Sequence, residues 1–222
     1  MESPGPTANP KQVLVIGATG RAGRRLVEYS LEKGHHVTAF ARNIDQFDLK
    51  HQNLRKVQGD VLYKGLIDAA VKGQDIVLSV IGIRQFRGPI TLMSEGMKNI
   101  IRSMEEHSVK RLLTITGAGI LQEDEEMLIM DSLSFPPNLQ NLSLDHKRVW
   151  KLLKASTLDW TIVCPAFMHS GEKTGNILVE KNAYPRKAQN DVSVEDVAEF
   201  ITEAMLDPTY VGSRVGIAHP IV

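Results

Sequence analysis

Gly17-Ala18-Thr19-Gly20-Arg21-Ala22-Gly23 is the stretch whose residue types and spacing point most directly to chemistry. Glycine permits a tight turn, close approach of the backbone to a ligand, and close packing of a helix on a strand. Gly17, Gly20 and Gly23 can serve these three purposes in turn. If a helix follows, its first N–H groups lack helical acceptors and its dipole is positive at that end. A diphosphate can then rest on the turn, beside Thr19 and Ala22. The spacing is G-x-x-G-x-x-G rather than G-x-G-x-x-G, and the alternative is a tight βα turn without a ligand.

A second signal lies further on, where an acid at the end of a second strand would hold the ribose hydroxyls of NAD. The chain instead reads Ala39-Phe40-Ala41-Arg42. A guanidinium pairs bidentately with a 2′-phosphate and stacks on adenine, so Arg42 predicts NADP(H), with Arg21 as a second positive charge. The alternative for both is an ordinary solvated arginine.

These residues need strands and helices to hold them, and the hydrophobic pattern supplies both. Val13–Ile16, His36–Ala41, Leu54–Gln58, Ile76–Val80, Arg111–Thr116 and Trp160–Cys164 read as strands, with Val215–Ala218 as a seventh candidate. Between them, Ala22, Leu26, Val27, Ser30 and Leu31 make a helical stripe closed by Gly34 in a left-handed cap. Met93, Met97, Ile100, Ile101 and Met104 recur at helical spacing and read as a core face. Two later helices are expected, from Asp145 to Ala155 and from about Ser193 to Met205, the latter with Ser193 and Asp196 at capping-box spacing. Such alternation predicts an α/β fold, a Rossmann-type doubly wound parallel sheet in a single domain over residues 11–222. Residues 119–144 and 167–190 stand outside the alternation and follow predicted strands, which makes them the expected substrate walls or lids.

Composition narrows the class. The chain has 222 residues, 26 Lys plus Arg and 26 Asp plus Glu, so no net charge favours nucleic acid or an anionic membrane. No apolar run approaches the ~18 residues needed to span a bilayer. One cysteine, Cys164, excludes an intrachain disulfide or Cys-based zinc site, no metal ligand set is expected, and the cytoplasm is the expected compartment. Residues 1–10, rich in Pro, Gly and Ser, read as a flexible tail. The expected partner is a small-molecule substrate; oligomeric state is open.

The chain resembles the atypical short-chain dehydrogenase/reductase superfamily, and more closely its flavin reductase (biliverdin reductase B)-like branch with NmrA-like relatives. The resemblance covers most of residues 12–167 and then loosens. It is carried by Gly17-Ala18-Thr19-Gly20 with Gly23, by Arg42, by Gly59-Asp60-Val61, by Gly73-Gln74-Asp75 and by Ile81-Gly82 with Arg84. Further elements are Met93-Ser94-Glu95-Gly96 with Asn99-Ile100, Pro136-Pro137 with Leu139-Gln140, and Asp145-His146. The resemblance implies that Asp60 and Val61 contact adenine, and that Ile81, Gly82 and Arg84 lie along the ribose and phosphates. Chemistry agrees, since Asp60 can accept the adenine amino hydrogen and Gly82 permits close approach, though Asp60 can also cap a turn and Gly82 end a strand. Thr116 and Cys164-Pro165-Ala166-Phe167 end predicted strands and are expected to border the nicotinamide.

Departures from the family pattern bear on the chemistry. The Ser and Tyr-x-x-x-Lys set, in which lysine lowers the tyrosine pKa, is missing; Leu142 and His146 align with Tyr and Lys. The flavin reductase branch shows Thr-Ser and Pro-Pro-His where this chain has Thr116-Gly117 and Pro165-Ala166-Phe167, and an insertion occupies Glu123–Leu133. Hydride transfer to a flavin, tetrapyrrole or quinone mainly requires face-to-face placement, with the proton from solvent. The expected activity is therefore NADPH-dependent reduction of a planar or conjugated small molecule, with Thr116 and His146 as catalytic candidates. His146 can orient the ribose or relay a proton, or be a helix first-turn residue bonded to backbone. Phe167 and Trp150 can stack on a flat substrate or fill the core, and His169 can replace the missing imidazole. A non-catalytic NADP(H) sensor and a redox-neutral isomerase or cyclase are the alternatives.

Overall fold

The computed structural model describes residues 9–83 and 88–221. Arg84 and residues 1–8 of the expected tail lie outside the described residues. In chain order the elements are β1 (Gln12–Ile16), α1 (Arg21–Glu32), β2 (His36–Ala41), β3 (Leu54–Gln58), α2 (Lys64–Val71), β4 (Ile76–Ser79) and α3 (Leu92–Glu106). They continue with β5 (Arg111–Ile115), α4 (Gln140–Lys154), β6 (Asp159–Pro165), β7 (Phe167–His169), β8 (Leu178–Lys181), β9 (Asp191–Ser193), α5 (Val194–Ala204) and β10 (Ser213–Ala218).

The main sheet runs β3-β2-β1-β4-β5-β6-β10-β8, parallel throughout except for β8, which pairs antiparallel with β10. This is the Rossmann-type sheet the pattern predicts, with its order reversing between β1 and β4. Side chains alternate between two buried faces. Val13 and Val15 join the core beneath α1 and α5, while Leu14 and Ile16 join the core beneath α2, α3 and α4. Burial on both faces is why these strands read as continuous apolar runs. The edge strand β3 is protected by exposed Arg55 and Lys56.

Predicted details recur. Gly34 follows α1 at φ +83°, the methionine face of α3 is buried, and Ser193 Oγ accepts from Asp196 N at the start of α5. Burial alone would raise the Asp196 carboxyl, but hydrogen bonds from His219, Ser193, Gly175 and Thr174 hold it at about 2.

Differences lie where the local pattern is weak. α2 was not expected, and α4 starts at Gln140 rather than Asp145 because a 3₁₀ turn, Pro137–Leu139, runs directly into it. Residues 167–190 are not loop alone: β7 pairs with β9 in a small parallel ribbon, and β8 extends the main sheet. The 119–144 segment is pinned to β10, where the Arg214 guanidinium donates to the Ile120 carbonyl and, at 3.0 Å, to Gln122 Oε1. Among the described residues, no helix is long and apolar enough to cross a membrane.

Candidate functional site

The order reversal between β1 and β4 opens a crevice at their C-terminal ends, and the glycine turn stands in it. Gly17 adopts φ +91°, and a Cβ there would lie 2.8 Å from the Val80 carbonyl oxygen after β4. The N–H groups of Gly17 and Ala18 donate to the Phe40 carbonyl at 2.9 and 3.3 Å, tying the turn to the end of β2. A Cβ on Gly23 would lie 2.1 Å from the Gly17 carbonyl oxygen, so α1 packs on the turn with no space for a methyl group. The start of α1 carries neither a side-chain cap nor an acidic residue in its first turn. The N-terminus of α5 has both, and that of α3 receives a buried carboxylate from α4. The first amides of α1, at Arg21 and Ala22, therefore keep their positive end uncompensated beside exposed Thr19 and Gly20.

Arg42 emerges at the end of β2, where Gln58 Nε2 donates to its carbonyl at 3.0 Å. Its guanidinium is exposed and, among the described residues, makes no hydrogen bond or ion pair. Gly59 lies against the Phe40 ring, which a Cβ would meet at 2.4 Å. Asp60 does cap a turn, accepting from Leu62 N at 2.9 Å through Oδ1. Val61 is held from α3: Asn99 Nδ2 donates to its carbonyl at 2.9 Å, and Gly96 admits its side chain. The Gly96 and Asn99 elements thus position the Asp60–Val61 loop. Ile81 is half-buried and Gly82 exposed, with nothing in the protein within 4 Å of a Cβ built on Gly82.

At the ends of β5 and β6, buried Thr116 Oγ1 lies 3.2 Å from Cys164 Sγ. Burial pushes the Cys164 thiol up to about 12, against the opposing Thr116 hydroxyl. It is therefore protonated and inert at neutral pH, and its side chain is fully buried. His146 packs against Gly117, whose Cβ would lie 3.5 Å from its ring. It sits beyond the first turn of α4, its Nδ1 is buried without a partner among the described residues, and burial pushes its pKa down to about 4. The first-turn, backbone-bonded alternative is thereby replaced by a neutral, unengaged imidazole. Its neighbour Asp145 does the structural task. Fully buried, it accepts from Met93 N at 3.0 Å and Ser94 N at 3.4 Å, and also receives the Ser94 hydroxyl, which locks α4 to the start of α3.

The substrate candidates separate. Phe167 is 74% exposed at the start of β7, which removes the core-filling alternative. Trp150 carries the Arg214 guanidinium 3.7 Å from its ring centroid, so one face is already covered. His169 lies beside His219 and Asp191, a grouping that local spacing hides. Arg21 is exposed, with Nη2 3.4 Å from the Met168 carbonyl of β7, and so links the turn to the 167–190 segment. Arg214 was not singled out in the sequence, while Asp145 and Asp196, noted there in the Asp145-His146 element and the capping-box spacing, act in the structure as organising residues. Of these roles, only the Ser193–Asp196 cap was signalled in advance by its spacing.

Residues 17–208 match the NAD(P)H-binding family. Among curated relatives, the uncharacterised Bacillus subtilis protein YwnB is 28% identical over 207 residues, covering 90% of this chain and 94% of YwnB. A candidate NADH-flavin reductase from Streptococcus pneumoniae superposes with a TM-score of 0.82 at 25% identity, covering 94% of this chain and 99% of that one. A Rossmann-fold NAD(P)-binding family protein from Shigella flexneri gives 0.74 at 25% identity, covering 96% and 95%. With the glycine turn at the order reversal and the match spanning most of the chain, the protein belongs to the NAD(P)H-binding family.

Proposed function

We propose that the protein is an NADPH-dependent reductase of a planar, conjugated small molecule such as a flavin, tetrapyrrole or quinone. The observation that carries this reading is the Arg42 guanidinium, without a partner among the described residues, at the end of β2, the strand that Phe40 ties to the glycine turn. It fits the 2′-phosphate, while the uncapped α1 N-terminus, Thr19, Gly20, Arg21 and Ala22 receive the diphosphate. The second Asp60 oxygen and the Val61 backbone face the adenine. Open space at Gly82 supports close approach of the ribose and phosphates. When bound, NADPH supplies the hydride.

The residues of the chain do the positioning. His146, neutral and with an orphaned Nδ1, orients the nicotinamide ribose. Thr116, Pro165 and Ala166 form the floor beneath the nicotinamide, with Cys164 behind them holding the Thr116 hydroxyl. Phe167 stacks on the acceptor, a role its exposure favours over that of Trp150. The acceptor takes its proton from solvent, because the Thr116 hydroxyl is engaged and the Cys164 thiol does not ionise near neutral pH. The single buried free cysteine suits the reducing cytoplasm.

NADPH oxidation measured against FMN, biliverdin and a panel of quinones tests this reading, and turnover with at least one acceptor is expected. The engagement of Thr116 by Cys164 favours the sensor or redox-neutral alternative as the second reading. Tight NADPH binding with no oxidation across the panel would establish it instead. The His146→Ala variant is expected to lose about tenfold in kcat/KM; an unchanged value removes His146 from the mechanism.

The pH profile provides a separate check. A depressed imidazole pKa means the neutral ring persists well below 6.5, so any dependence on it appears only as pH falls toward 4. At saturating NADPH, kcat is expected to be flat from pH 8 to about 5, whereas kcat/KM for NADPH also carries the 2′-phosphate ionisation at about 6. A limb near 6.5 in kcat assigns the titration to another group.

A further inference from the structure

His169, Asp191 and His219 come from three separate segments, yet one ring nitrogen of each histidine and one Asp191 carboxylate oxygen all lie within 4.8 Å of one another. The small ribbon explains how. β7 and β9 pair in parallel with Phe167 opposite Asp191 and His169 opposite Ser193. Period-two alternation therefore puts His169 and Asp191 on one face, while Met168 and Val192 turn into the core. His219 follows β10, and its N–H donates to the Asp191 carbonyl at 2.9 Å, which fixes the third residue against the first two.

The ring nitrogens are differentiated. His169 Nδ1 lies 3.1 Å from the Ser170 carbonyl, an acceptor only, so it carries the proton and Nε2 keeps its lone pair. His219 Nε2 lies 2.9 Å from Asp196 Oδ2, while its Nδ1 faces Asp191 Oδ1 at 3.5 Å. Asp196 is buried and held by Ser193, Thr174 and Gly175, so it is a rigid anchor for the His219 ring. A carboxylate or carbonyl on the far nitrogen of each histidine is the arrangement that orients imidazoles as metal ligands. A tetrahedral ion with bonds of about 2.0–2.1 Å separates its ligand atoms by about 3.4 Å, close to the spacing of His219 Nδ1 and Asp191 Oδ1.

We propose that His169, Asp191 and His219 form a binding site for a divalent metal ion of the zinc class, with the fourth position open to solvent. The donor set of two neutral imidazoles and one carboxylate suits such a borderline ion better than calcium or magnesium, which prefer oxygen ligands. The ion joins β7 and β9 to the end of β10. It thereby fixes the segment that carries Phe167 and that Arg21 touches at Met168. It departs from the expectation, drawn from the sequence, of no metal ligand set.

The test is zinc titration of tag-free, chelator-stripped full-length protein against a competing chromophoric chelator. One equivalent per chain is expected, and His169→Ala and Asp191→Asn should each weaken binding at least about tenfold. Zinc should also raise the thermal midpoint of the unaltered protein and not that of His169→Ala. Circular dichroism checks that both variants keep the fold; His169 caps no helix and Asp191→Asn is nearly isosteric. Absence of stoichiometric zinc binding overturns the proposal. So does equal binding by folded variants, which would place the ion on other histidines such as the adjacent His35 and His36. Neither result depends on NADPH oxidation, so the site and the reductase reading stand or fall separately.

Discussion

Gly23→Ala is expected to weaken NADPH binding at least about a hundredfold and to lower stability by about 2–3 kcal/mol. The methyl group would lie 2.1 Å from the Gly17 carbonyl oxygen and 2.9 Å from the Ala18 Cα. Both neighbours are backbone, and Gly17 is itself held by the Phe40 carbonyl and the Val80 loop, so neither side can yield cheaply. Helix α1 must move away by about an ångström, carrying its first amides out of register with the diphosphate, and misplacement on that scale is costly. Isothermal titration with NADPH and urea denaturation measure the two effects. Gly65→Ala is the control: Gly65 lies in α2, and a Cβ there would meet nothing within 4 Å. That change should leave NADPH binding intact and add about 0.5–1 kcal/mol of stability from helix propensity. Normal NADPH affinity in Gly23→Ala would mean that the turn does not hold the diphosphate.

Arg42→Ala is expected to weaken NADPH binding by roughly 30- to 150-fold and NADH binding by no more than about threefold. The estimate takes about 2–3 kcal/mol for a bidentate, charge-assisted contact and tenfold per 1.4 kcal/mol. Because the Arg42 side chain makes no hydrogen bond or ion pair among the described residues, its removal should leave the fold undisturbed. Its effect is then a direct reading of the 2′-phosphate contact. The difference should shrink as salt is added, since an exposed charge pair is screened. Equal losses for the two nucleotides would refute the NADP assignment.

The parts of the site that sequence reasoning located are those whose requirements are local. Gly17 needs a positive φ, and Gly23 needs contact with a carbonyl six residues earlier in the same turn. The bounds of β2 and β3 agree with the expected ones, because their pattern of burial is written into neighbouring residues. α2 escaped because its eight residues bury only Ile67, Ala70 and Val71 and carry no side-chain cap, too little for a helical period to stand out. β7 and β9 escaped because each has three residues and gains its partner only across the intervening 170–190 segment.

Composition, glycine placement and hydrophobic period were enough to predict the doubly wound sheet, the glycine turn at its order reversal and the arginine beside that turn. Tertiary structure alone decided which polar groups remain available. It turned Thr116 toward Cys164, set Asp145 to cap a helix, stripped His146 of partners, and exposed Phe167 while covering a face of Trp150. It also gathered His169, Asp191 and His219. Backbone preference and periodicity act between residues a few positions apart and can be read along the chain. Hydrogen-bond satisfaction and burial depend on which distant segments the packed sheet brings together, and that is settled only when the chain has folded.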